Sequence, residues 1–146
     1  MTLFITFLLA IIICLLITLC WTDLRYRLIS NRIIMALLLV IIPFSYLMHG
    51  TLFWQPALLC LAIGFILFLF NIIGAGDVKL FAVLMLAIPS HFAIFFLFLT
   101  ACTGLLLIII GWLFYRQSIQ EKGLPYGIAI SVGFLTTLLL FLTIKI

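Results

Sequence analysis

Residues 54–88 read WQPALLCLAIGFILFLFNIIGAGDVKLFAVLMLAI. An apolar run long enough to cross a bilayer (54–73) meets Gly74-Ala75-Gly76, then a carboxylate, Asp77, and then a second apolar run (77–88). The second run holds about 12 residues, about 18 Å of helix against a hydrocarbon thickness of roughly 30 Å. Either it borrows flanking residues or its start is sunk beneath the headgroups. In the second case, because irregular backbone is tolerated at that depth only where it lines protein or a wet cavity, residues 74–77 would mark a shielded, water-reached site.

The rest of the chain repeats the pattern. Of 146 residues 69% are hydrophobic, and the mean hydropathy is +1.61. This is more apolar surface than a soluble core of this size can bury, so lipid is the expected solvent. Apolar runs at 2–21, 33–48, 54–73, 77–88, 92–115 and 127–143 predict an all-α integral membrane protein, a bundle of about six transmembrane helices in one domain spanning 1–146. The first charge is Asp23, so the opening run lacks the basic start of a signal peptide and reads as a retained span. Basic residues fall in the first connector (Arg25, Arg27, Arg32), beside the third (Lys79) and in the fifth (Arg116, Lys122), with Lys145 alone at the other side. Positive connectors stay in the cytoplasm, which puts both termini outside and Asp23 and Asp77 on the cytoplasmic side.

Composition also excludes classes of function. The net charge of +4 comes from scattered basic residues with no run that would follow a phosphate backbone, so no nucleic-acid partner is expected. Cys14, Cys20, Cys60 and Cys102 show neither CxxC pairing nor nearby histidine, so no metal site or cofactor is expected. His49 and His91 fall in the uncharged outer connectors, away from the aspartates.

Asp23 and Asp77 are two of only three acidic side chains, and both sit at the cytoplasmic ends of apolar runs, where ionisable groups are costly and commonly functional. Taken singly, Asp77 reads equally as a helix N-cap and Asp23 as an interfacial charge balanced by Arg25 or Arg27. Together they form a candidate acid pair. Two carboxyls around one water share a proton, so the ionised one can deprotonate the water while the protonated one polarises a peptide carbonyl. No GxSxG, HExxH or serine triad competes.

These residues resemble the prepilin peptidases, membrane aspartic proteases of the GxGD type. Gly74-Ala75-Gly76-Asp77-Val78-Lys79 is similar to the family's GxGDxK. Asp23 to Asn31 (DLRYRLISN) resembles its first catalytic segment, in which an Asp precedes Pro-Asn or Pro-Asp, with Ser30 standing where the family commonly has Pro. Pro125-Tyr126-Gly127 resembles a further signature. The resemblance implies catalytic Asp23 and Asp77, with Gly74, Gly76, Lys79, Asn31, Pro125, Tyr126 and Gly127 in support. It implies a prepilin or pseudopilin substrate with a basic leader, a Gly before the cut and an apolar helix after it, processed in the bacterial inner membrane. Larger members carry a cysteine-bearing cytoplasmic domain associated with N-methylation between the first two spans. Only a short connector stands there in this chain, which implies peptidase without methyltransferase, as in the short enzymes serving Tad/Flp-type pili.

Lys79 reads mainly as a positive-inside anchor and secondarily as a tuner of the pair. Gly74 and Gly76 supply backbone freedom or simply a turn, Asn31 and Asn71 an inter-helix hydrogen bond. Glu121 reads as a solvated partner of Lys122 or Arg116, with contact to a basic leader as the alternative. The rival class is a transporter or channel component relaying protons or cations through the aspartates. Such a path needs polar groups through the bilayer depth, and this chain gathers its charges at one face.

Overall fold

The structure is a computed structural model that describes residues 2–114 and 125–145; Arg116, Glu121 and Lys122 lie outside the described residues. Those residues form α1 (Thr2–Tyr26), α2 (Asn31–His49), α3 (Trp54–Leu69), α4 (Ala75–Met85), a 3-10 turn (Ser90–Phe92), α5 (Ala93–Phe114) and α6 (Tyr126–Lys145), with no strand among them. Segments Leu3–Tyr26, Asn31–His49, Ser90–Leu113 and Tyr126–Thr143 are each long and apolar enough to cross a membrane, and the chain is a helical membrane protein. By contrast α3, with 16 residues, and α4, with 11, reach only about 24 Å and about 16 Å.

The helix ends depart from the apolar runs for identifiable reasons. α1 continues past residue 21 to Tyr26, so Asp23 lies on a helix rather than in a connector; Arg25 in the last turn complements the helix dipole. Arg27 then turns left-handed (φ 55°) and its N–H caps the Asp23 carbonyl at 2.9 Å. Ser30 takes φ −68°, the value a proline would have, and caps α2 by accepting the Arg32 N–H at 3.3 Å. The exchange of Pro for Ser thus keeps the turn. α3 stops at Leu69, short of the expected 73, because Asn71 adopts φ 55°, a conformation Asn tolerates. α4 ends in tight i to i−3 bonds at Leu86, Ala87 and Ile88 before Pro89.

One contiguous core holds the helices together. Ile12, Leu16 and Leu19 of α1 meet Leu37, Ile41 and Phe44 of α2, Leu80 and Leu84 of α4, and Ile130 and Phe134 of α6. Lipid is as apolar as leucine, so close backbone approach and inter-helix hydrogen bonds hold such helices together rather than apolar burial alone. α5 and α6 use both devices. A Cβ at Gly133 would overlap the Thr100 hydroxyl and meet its backbone N at 3.0 Å, while Thr103 Oγ1 donates to the Ala129 carbonyl at 3.0 Å.

Two ends result. At one, Ser45 Oγ donates to the Thr51 and Leu86 carbonyls (3.0 and 2.9 Å), and the His49 ring meets Phe53 edge-on and Phe141 at a tilt. His91 lies against Phe92, which meets Phe141 at the same end. The other end gathers Asp23, Ile29, Asn31, the Gly74 to Lys79 turn and Gly127.

Candidate active site

Asp23 faces inward from α1 with 5% of its surface exposed. The first N–H groups of a helix have no partner within it, and Asp23 Oδ2 accepts one of those of α6, from Gly127, at 2.8 Å. The carboxyl thereby fills a donor position that α6 leaves open, and the positive end of the α6 dipole points at it. Glycine is required there: a Cβ would stand 2.8 Å from Oδ2 and 3.0 Å from Leu19 Cδ2. Ser131 Oγ donates to the Gly127 carbonyl at 2.7 Å and steadies the same turn. Pro125 precedes the helix and its carbonyl accepts the Ile128 N–H at 3.3 Å.

Asp77 is not the N-cap of α4. Gly74 is, in extended backbone (φ −71°, ψ 144°), and Asp77 occupies the third helical position, half-buried in the turn outside the four long apolar spans. Its carboxyl is pushed up to about 6, first by burial and then by the charge of Asp23, against the Gly74 N–H, which favours the ionised form. The two acids are therefore electrostatic neighbours. Gly76 lets α4 approach the first connector, since a Cβ would come within 2.9 Å of Ile29 Cβ.

A cavity of about 600 Å³ opens on Asp77, with Gly74, Phe81, Thr100, Gly104 and Tyr126 among its walls. Tyr126 lines it directly beside Gly127, the partner of Asp23. Lys79 Nζ donates to Asn31 Oδ1 at 3.2 Å, tying α4 to the start of α2, on an exposed surface. Lys79→Met and Asn31→Ala are each expected to slow the reaction by less than about tenfold, because an exposed charge-assisted bond contributes little. The double variant should be no worse than either single one, as double-mutant kinetics would read. Asn71 is exposed and left-handed, and Glu121 lies outside the described residues.

One participant was not anticipated: Ser131 stands one turn after Gly127, and its only signal was a hydroxyl in an apolar run. Arg27, expected beside Asp23, keeps Nε and Nη1 buried without a hydrogen-bond partner, a cation at the same end of the bundle. Among the described residues no cluster of three His, Cys, Asp or Glu is placed to hold a metal, and the four cysteines are free thiols.

These observations define a class: a helical membrane protein whose bundle brings two carboxyl groups to one end, beside an open cavity. The sequence profile of the type IV leader peptidase family matches residues 10–109. The chain belongs to that family and is a protease, acting on prepilin-type leaders in general. Searches of curated proteins and of solved structures each returned no significant match.

Proposed function

We propose that the chain is a prepilin leader peptidase of the aspartic type, one membrane-embedded peptidase domain in which Asp23 and Asp77 activate a single water. The observation that carries this is the electrostatic coupling of Asp77 to Asp23 at the end of the bundle where the cavity opens. The ionised Asp23, steadied by the Gly127 N–H, takes a proton from water as its oxygen adds to the scissile carbonyl. Protonated Asp77 donates a hydrogen bond to that carbonyl oxygen, and its proton passes on as the tetrahedral adduct collapses. The amide nitrogen leaves as an amine, and the leader keeps a new carboxylate.

The substrate is a type IV or Flp-like prepilin, cut after the Gly that ends a basic leader, in the short, methyltransferase-free manner of Tad/Flp enzymes. Arg25, Arg27, Arg32 and Lys79 fall at the aspartate end, which supports a bacterial inner-membrane protein with that end in the cytoplasm and both termini outside, in about six crossings. Tyr126 lines the mouth, Pro125 and Gly127 start the helix that carries it, and Gly74, Gly76, Lys79 and Asn31 hold the Asp77 turn. Glu121 is proposed to meet basic leaders.

The test is direct. Purified protein in detergent is incubated with a prepilin, and the products are mapped by mass spectrometry. A single cut after the leader Gly is expected; an uncut precursor, or cuts within the apolar helix, would overturn the proposal.

A further inference from the structure

We infer that the gap between α4 and α5 is a side entrance in which the apolar helix following the scissile bond docks, its N-terminal end against Asp77. This rests on the peptidase reading above. α4 and α5 both pack on α6 but scarcely on each other. They meet where Phe81 approaches Phe96 (5.4 Å between ring centres) and Phe96 approaches Phe134 (6.2 Å), and those rings close the bottom of a wedge. Above the rings the wedge widens into the cavity of about 600 Å³, with Asp77 on one wall, Ala101, Gly104 and Leu105 on the other, and Tyr126 behind.

Three features select this occupant. Asp23 is sealed in the bundle, so a peptide bond reaches the pair only from the side of Asp77, which the cavity exposes. The α5 wall is apolar and presents the small, exposed Ala101, which lets a helix backbone come close. Finally, the free N–H groups at the start of an incoming helix find an acceptor in the Asp77 carboxyl at the mouth. A second groove of about 630 Å³ lies across α4, lined by Leu58, Leu61, Phe65 and Lys79, but it does not include Asp77.

The two grooves can be told apart by photo-cross-linking. Benzoylphenylalanine is introduced at Leu105 or at Leu61, both exposed, in an Asp23→Asn background that keeps substrate whole and leaves the Asp77 wall of the cavity intact. The probe is a synthetic precursor with a basic leader ending in Gly, followed by about 20 apolar residues. Irradiation is expected to label the precursor at least about tenfold more from position 105 than from 61. Equal labelling, stronger labelling from 61, or none from 105, as when lipid fills the wedge, would overturn the inference.

A second variant, Ala101→Trp, fills the wedge from its exposed wall. It should raise KM for the precursor about tenfold with an unchanged gel-filtration profile, and an unchanged KM would count against the entrance. Wild-type protein assayed in parallel separates the two levels. If it leaves the precursor uncut, the peptidase reading itself fails; if it cuts normally while label comes from 61, only the entrance fails.

Discussion

Replacing Asp77 with asparagine is expected to slow leader cleavage by about a thousandfold or more while making the folded protein more heat-resistant at pH 8. Both effects have one cause. Burial and then the neighbouring Asp23 charge raise the Asp77 carboxyl from 3.8 to about 6, so the protein holds a proton there that the unfolded chain would release. A carboxyl raised on folding contributes its stability fully below the unfolded value and loses it as pH rises through the folded one. Above about pH 6 Asp77 is therefore a net cost, only partly offset by the Gly74 N–H, and a neutral amide removes it. At pH 8 the Asp77→Asn protein should unfold a few degrees above wild type, and near pH 4 the gain should vanish. On the proposed acid-pair mechanism Asp23→Asn should be as inactive, and the double variant no slower than either single one. The pair titrates together, so activity should decline on an alkaline limb as the shared proton is lost. Residual cutting by either single variant at more than about a tenth of the wild-type rate would remove the acid pair from the mechanism.

The second large effect is expected at Gly127. In Gly127→Ala the new methyl stands 2.8 Å from Asp23 Oδ2 and 3.0 Å from Leu19 Cδ2, so the carboxylate must turn away and the 2.8 Å bond from the Gly127 N–H is lost or bent. Leu19 Cδ2 is the tip of a flexible side chain and can shift, so the fold should survive. Displacing a reacting group by a fraction of an ångström to an ångström costs on the order of a hundredfold in rate. The expected result is kcat down about a hundredfold with KM near that of wild type. Steady-state kinetics on a purified precursor, beside a thermal melt, checks it. A loss of activity that follows a loss of folded protein would show Gly127 to be a packing residue only.

The membrane nature of this chain and its approximate helices were legible in the sequence, which also singled out both aspartates as candidates. Apolar runs and sparse charges are local facts, and lipid as solvent turns them almost directly into helices. The helix ends were less legible, because an apolar run stops at its first polar residue while backbone hydrogen bonding continues. Asp23 lies inside α1 for that reason, and Asn71 breaks α3 through its left-handed backbone rather than its polarity.

Sequence alone determined that two acids had to be accounted for in a chain with almost no others, and the Gly-Ala-Gly turn before Asp77 marked where one of them enters the apolar bundle. Only the tertiary structure decided what each acid faces. It sealed Asp23 against an α6 amide 104 positions away in the chain and left Asp77 open to a wedge between helices that barely touch. The reason is physical: a carboxyl's chemistry here depends on which donor, charge and cavity lie within a few ångströms, and those neighbours come from distant segments whose meeting is fixed by close packing at residues such as Gly76, Gly127 and Gly133.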